Sequence, residues 1–268
     1  MPFPSSTAQA LLRELSEVDF SLLESLRRRY SMSDIVAKVQ KFYDEAGEYF
    51  SKTRQKKYGG EDSNWAEVRP YLKRLRRGDS VLDLGCGNGR LVTGLPRGVT
   101  YVGLDFSRTL LDEAKRLHPD YRFLFGDIAK RASWKALGGR EWNAIFCVAT
   151  LHHLPERKQQ LMVLKEARNR LKKDGFLYLS VWNLWQARHL RNHLASLNMK
   201  VQNSRWLNVP FAGRWERFCF AFDKAYLAQL MDEAGLEIED MYYADERGEK
   251  VDARRGRNLV AVGRSSGE

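Results

Sequence analysis

Little in this chain is suited to covalent or metal-based cross-linking. It has three cysteines, Cys86, Cys147 and Cys219, widely spaced, odd in number and without a CxxC pair. That argues against a disulfide framework and against a zinc site, so no metal is expected. It favours a reduced, cytoplasmic compartment. Long apolar runs are also missing: none approaches the roughly 20 residues that span a bilayer. The start, Met1-Pro2-Phe3-Pro4, lacks the basic-then-apolar pattern of a secretory signal, and no membrane association is expected. There is no internal repeat and no low-complexity segment. Acidic residues are in deficit, 34 against 45 Lys plus Arg, a formal net charge of +11. Such a field attracts polyanions, nucleic acid above all. What the chain does have is 43% hydrophobic residues over 268 positions, enough for the core of one large domain with additions.

The N-terminal quarter reads as helical. Leu11, Leu12, Leu15, Val18, Leu22, Leu23 and Leu26 recur at helical spacing over residues 7–30, and a second helix is expected from about Ser33 to Phe50. A basic polar loop, Ser51 to Ser63, and a third helix, Trp65 to Arg77 despite Pro70, should follow. From Asp79 the pattern changes to short apolar runs alternating with helical segments. Strands are expected at Ser80–Leu84, Thr100–Leu104, Tyr121–Phe125, Asn143–Val148, Gly175–Trp182, Leu236–Tyr243 and Asn258–Val262. Helices are expected near Arg90–Leu95, Arg108–Leu117, Ala129–Leu137, Glu156–Lys172 and Asp223–Ala234. Strand–helix alternation predicts an α/β fold, a doubly wound, mainly parallel sheet. Residues 183–217 interrupt it with Arg188, Arg191, Lys200, Arg205, Arg214 and Arg217, interleaved with Trp185, Trp206 and Trp215. They are expected to form a cap over the site, able to stack unpaired bases and bind phosphates. The division is then an N-terminal extension over residues 1–62, covering the cofactor site, and a domain over 63–268 with its insert.

The strongest local signal is Val81-Leu82-Asp83-Leu84-Gly85-Cys86-Gly87-Asn88-Gly89-Arg90. An apolar strand ends in a glycine turn that lets a ligand approach the backbone, and Asp83, counted among the candidate cofactor residues, can orient that turn or receive a cationic group. The dinucleotide fingerprint G-x-G-x-x-G/A is absent, since its third small position falls on Arg90. The next strand ends at Asp105-Phe106, 20 residues after Gly85, where a carboxylate can accept from both ribose hydroxyls. After the third strand, Asp127 can receive an adenine amino group while Ile128 packs on the ring. Three acidic positions in this register turn an ambiguous glycine loop into a site for S-adenosylmethionine (SAM).

LDLGCGNGR, GLDFS, GDI and FCVATLHHL resemble the successive motifs of class I SAM-dependent methyltransferases over roughly residues 79–182. The resemblance implies a seven-stranded Rossmann-like sheet with one antiparallel strand at the end, and cofactor contacts from Gly85, Gly87, Asp105 and Asp127. Asn88, Phe106, Ile128, Val148, Tyr49 and Arg54 complete the candidate cofactor set. The flanks are similar to a narrower group, the tRNA wobble-uridine carboxymethyl methyltransferases. They are Phe42-Tyr43-Asp44-Glu45-Ala46, Tyr49-Phe50-Ser51-Lys52-Thr53-Arg54, Ala149-Thr150-Leu151-His152-His153-Leu154, Val181-Trp182, Val209-Pro210-Phe211 and Arg217-Phe218-Cys219-Phe220. Phe211 and Phe220 depart from the tryptophan and histidine usual in that group. This resemblance implies tRNA as partner and, by analogy with eukaryotic relatives, a small activator subunit.

The fourth strand lacks the N/D-P-P-Y/F sequence that goes with methylation of an exocyclic amine. A carboxylate acceptor fits instead. It is already ionised at neutral pH and needs no base, only cationic or hydrogen-bonding groups to hold it. His153 is the preferred acceptor contact, with His152 beside it at the rim. Arg54 is expected to hold either the substrate carboxylate or that of the cofactor. Trp182 is expected beside the acceptor pocket. The rival expectation is an O- or N-methyltransferase of a small metabolite, with the insert enclosing its acceptor.

Overall fold

The computed structural model describes residues 32–58, 65–186, 189 and 205–265. The expected helix over residues 7–30, and the greater part of the insert, lie outside the described residues. The chain opens with helix α1 (Met32–Tyr58) and the short α2 (Arg69–Leu72). Then come β1 (Ser80–Leu84), β2 (Thr100–Asp105), α3 (Arg108–Leu117), β3 (Arg122–Phe125), α4 (Arg131–Ala136) and β4 (Trp142–Val148). They are followed by α5 (Arg157–Arg168), β5 (Leu171–Trp182), β6 (Trp206–Phe211), β7 (Trp215–Phe220) and α6 (Lys224–Glu233). The last elements are β8 (Leu236–Ala244), β9 (Lys250–Val251) and β10 (Asn258–Ser265).

One sheet organises the molecule, in the order β3-β2-β1-β4-β5-β10-β8-β9. The first five are parallel, and β10 is antiparallel to both neighbours, β5 and β8. Seven strands of four residues or more carry the sheet, with the two-residue β9 added at the edge beyond β8. The Rossmann-like α/β architecture is as expected. The order reverses at β1, where β2 lies on one side and β4 on the other, which opens a crevice at the carboxyl ends of these strands.

The central strands are buried on both faces and read as unbroken apolar runs, as parallel strands do. All five residues of β1 are buried. Alternate side chains feed two cores: Leu82, Leu84, Val102, Leu104, Ile145 and Leu179 pack on one face, and Val81, Tyr101, Ala144, Phe146 and Tyr178 on the other. Helices start where a side chain can cap them. Ser107 Oγ accepts from Leu110 N–H at the start of α3, and Asp223 accepts from Tyr226 N–H at the start of α6. Glu156 and Gln159 form a reciprocal capping box on α5.

Three departures from expectation have local causes. Helix α1 does not stop near Phe50 but runs to Tyr58. Its added turns, rich in Lys, Arg and Gln, suit a helix, and no helix-breaking Gly or Pro occurs among them. The helix expected over Trp65–Arg77 shrinks to α2, because Pro70 occupies its first turn and starts a helix rather than sitting inside one. The insert is not only a loop: β6 and β7 form an antiparallel hairpin, Trp206 opposite Phe220 through Phe211 opposite Trp215.

Candidate active site

A cavity of about 410 Å³ opens where the order of the sheet reverses. Its floor is the turn after β1. Gly85 N–H donates to the Leu104 carbonyl at 2.8 Å, and Gly87 N–H donates to Asp105 Oδ2 at 2.8 Å. Gly85 sits at φ 72°, where a Cβ would run into the side chain of Thr150. At Gly87 a Cβ would meet nothing nearer than Leu110 at 3.9 Å, so this peptide faces open space. Ala149, on the opposite wall, holds the left-handed conformation (φ 50°) without being glycine. That is local strain of the sort that gathers at functional sites.

Asp105 bridges the floor to the next helix, since its Oδ1 accepts from Ser107 N–H at 2.8 Å. Burial raises this carboxyl to about 6 despite those amide bonds. Asp83 does not line the cavity. It lies beneath the turn, 3% exposed, and accepts from Tyr101 Oη at 2.9 Å. Burial pushes it up to about 7. Asp127 Oδ1 accepts from Ala129 N–H at 2.9 Å, and Ile128 beside it is buried, its carbonyl tied to Trp134 Nε1.

Helix α1 forms the roof. Ser107 Oγ donates to Asp44 Oδ1, Thr109 Oγ1 donates to the Asp44 carbonyl, and Asn88 Nδ2 donates to Ser51 Oγ at 3.0 Å. The roof brings Tyr43 over the acceptor end, where its hydroxyl lies 2.9 Å from His153 Nε2. His153 Nδ1 is 3.3 Å from the Phe218 carbonyl. A carbonyl can only accept, so Nδ1 carries the proton and Nε2 accepts from Tyr43. Burial and the neighbouring Arg217 lower His153 to about 3, and burial raises Tyr43 to about 12. Both groups are therefore neutral at pH 7.

Arg217 completes this end of the cavity. It is 4% exposed, and its Nε and Nη1 are buried without a hydrogen-bond partner. No carboxylate pairs with it among the described residues. Aromatic faces surround it instead: its Cζ lies 4.4 Å from the Trp182 ring, 4.7 Å from Phe211 and 5.2 Å from Phe42. Such contacts soften the burial of a cation but do not replace its missing hydrogen bonds.

The cavity thus gathers Gly85, Gly87, Asn88, Asp105, Phe106, Asp127, Ile128, Val148 and His153 from the sequence-derived candidates. Tyr49 is outside it, 46% exposed, against Phe211 and Trp215. Arg54 lies on α1, and its side chain is outside the described residues. Arg217 is the residue whose role the sequence left general, as one of the cationic residues of the cap over the site and part of the Arg217-Phe218-Cys219-Phe220 run. The fold also brings His152, His153 and Cys219 together, with donor atoms within 4.8 Å of one another, a grouping that their spacing did not reveal.

A family profile described as a methyltransferase domain matches residues 52–240. The chain belongs to this methyltransferase family. It is a SAM-dependent methyltransferase. The tRNA (carboxymethyluridine(34)-5-O)-methyltransferase of Saccharomyces cerevisiae is 26% identical over 163 residues, covering 61% of this chain and 54% of that protein. The chain thus spans about half the length of that relative. The enzyme of the same name from Schizosaccharomyces pombe is 27% identical over 234 residues, 76% of this chain and 91% of that one. A Haloferax volcanii methyltransferase, solved in complex with the Trm112 methyltransferase activator, shares the fold. Its TM-score is 0.58 at 17% identity, with 84% of this chain and 98% of that chain covered. No helix among the described residues is long and apolar enough to cross a membrane.

Bound S-adenosylmethionine supplies an electrophilic methyl group on a sulfonium sulfur. The cavity suits it: glycine peptides leave room for close approach, and two acidic side chains, Asp105 and Asp127, offer acceptors for hydroxyl and amino groups.

Proposed function

We propose that this methyltransferase esterifies a carboxylate, that of a carboxymethyl group on the wobble uridine of tRNA. The observation that carries this reading is Arg217, a buried guanidinium on the cavity wall with two unpartnered nitrogens. A buried cation without an anion is costly. A carboxylate entering the cavity would supply both the missing charge and the missing acceptors. The net charge of +11 and the relatives named for carboxymethyluridine agree with it.

In this reading Gly85, Gly87, Asn88, Asp105, Phe106, Asp127, Ile128 and Val148 hold the cofactor, with Asp83 supporting the turn from below. Arg217 draws in the acceptor carboxylate and orients it, and orientation supplies much of the acceleration in such a displacement. Tyr43, kept protonated, and His153, kept neutral, leave the guanidinium charge uncancelled. His153 then acts by fixing the Tyr43 hydroxyl. Helix α1 and the β6–β7 hairpin enclose the acceptor and exclude water. The compartment is the cytoplasm, where tRNA is available, and a small activator subunit of the kind bound to the Haloferax protein assists the enzyme.

The rival is methylation of a small metabolite. His189, also on the cavity wall, would then serve as base for a neutral acceptor. The deciding experiment incubates the purified protein, with and without a Trm112-type activator, with radiolabelled SAM and total tRNA, followed by nucleoside analysis. Label in a uridine methyl ester, released by mild alkali, is expected. Absence of label from tRNA in both conditions, with transfer to small acceptors intact, would overturn the proposal.

A further inference from the structure

At the tip of the β6–β7 hairpin, three aromatic rings meet at the surface. Tyr49, from the outer face of α1, lies 5.7 Å from Trp215 and 6.1 Å from Phe211, and Phe211 lies 6.2 Å from Trp215. Among the described residues of α1 and the insert, Tyr49 and Trp185 are the exposed large aromatics, at 46% and 37%. A tyrosine that served only to clamp helix to hairpin would be buried between them. Arg214 adds a cation, its Cζ 5.6 Å from the Trp215 ring.

The position of the cluster is as informative as its composition. Phe211 belongs to both environments. One side of its ring faces Arg217 at 4.7 Å, and on the surface it meets Tyr49 and Trp215. The surface cluster is therefore one ring away from the buried guanidinium. This matches what a single-stranded acceptor needs, with one nucleotide held in the cavity and the next turned outward beside it.

We propose that Tyr49, Phe211 and Trp215 form a stacking platform for the unpaired nucleobase adjacent to the acceptor nucleotide, with Arg214 at the phosphate between them. This rests on the reading of the acceptor as a nucleotide in an RNA loop. Unpaired loop bases are bound by stacking on aromatic faces, which is tolerant of base identity. The platform would thus select an RNA loop over a free nucleoside without dictating the neighbouring base.

The test uses the full chain, with any activator it requires, and an anticodon stem-loop bearing the carboxymethyluridine. Trp215→Ala and Tyr49→Ala are compared with the wild type and with the ring-preserving Trp215→Phe and Tyr49→Phe. Stacking is worth about 1–3 kcal/mol per base, so each alanine variant should raise KM for the stem-loop between about 5-fold and 150-fold. The affinity for SAM and the rate on the free nucleoside should not change, and the phenylalanine variants should recover most of the loss. Replacing the adjacent nucleotide by an abasic one should cost the wild type a similar factor and Trp215→Ala little more. Equal stem-loop KM in wild type and alanine variants, with methylation intact, would overturn the platform and leave the carboxylate reading standing. A wild type that neither methylates nor binds the stem-loop would overturn both. A general fall in stability that also raises the Kd for SAM and is not rescued by phenylalanine would reduce the cluster to packing.

Discussion

The hydroxyl of Tyr43 meets His153 Nε2 at 2.9 Å across 110 positions of sequence. Because Nδ1 is already committed to the Phe218 carbonyl, the imidazole is locked in one tautomer with no nitrogen left over for a substrate proton. A histidine held near pKa 3 by burial and by Arg217 does not titrate in the working range. The rate on a carboxylate acceptor should therefore be flat between pH 6.5 and 8.5 in steady-state assays. A rise of tenfold or more over that interval, carried by kcat, would point to a base and a neutral acceptor.

Arg217 should show opposite effects on activity and stability. Arg217→Met removes the group proposed to hold the carboxylate, and kcat/KM for tRNA is expected to fall at least about 100-fold, by analogy with buried charge-assisted contacts. Most of that loss should appear in KM, because the acceptor loses its negative charge as the methyl group arrives. The same change replaces a buried cation with two unpartnered nitrogens by an apolar chain among Trp182, Phe211 and Phe42. The protein should become more stable, by roughly 2–4 °C in Tm per kcal/mol gained. Calorimetry and kinetics on the one variant check both halves.

Asp105 gives cofactor binding a pH dependence. Its carboxyl is raised by burial from the ordinary 3.8 to about 6, so in the unliganded protein it is protonated at pH 5 and ionised at pH 7.5. Protonation removes an acceptor, and the Kd for SAM should rise as pH falls through 6. Asp105→Asn should bind weakly at both pH values. For folding the sign is reversed. A raised carboxyl contributes stability that is full below the unfolded value near 3.8 and is lost as pH rises through about 6. Acidification should therefore favour the unliganded fold at this residue while weakening the ligand, a divergence visible by comparing Tm with titration calorimetry.

Gly85→Ala should damage the floor of the site. Alanine at positive φ costs about 1–2 kcal/mol, and the added methyl group also meets Thr150. Tm is expected to drop by roughly 5 °C, judged from 2–4 °C per kcal/mol, and SAM binding should weaken with it. Unchanged Tm and affinity would show that the turn can be rebuilt without its left-handed glycine.

The strands and the glycine turn were legible because their signals are local. Ser80–Leu84 and Arg108–Leu117 have the bounds that their apolar runs and caps predict. The carboxylates of β2 and of the loop after β3 were legible because each strand end is fixed by the strand itself. Arg217 was not, because its meaning depends on three rings from other segments and on the lack of a carboxylate partner among the described residues, neither visible within β7. Tyr49 was misplaced for a related reason. It stands six positions from Tyr43, so the two point in different directions from α1. Only the seating of the helix decides which one faces inward.

The acceptor end of the cavity draws Tyr43 from α1, His153 from just after β4 and Arg217 from β7. None of these residues can find the others until long loops have closed, and closing such loops is what slows folding. On the ribosome, the glycine floor and its carboxylates will have emerged well before the hairpin that brings Arg217. A nascent chain halted between the two lacks any means of recruiting an acceptor, and the last strands of its sheet as well.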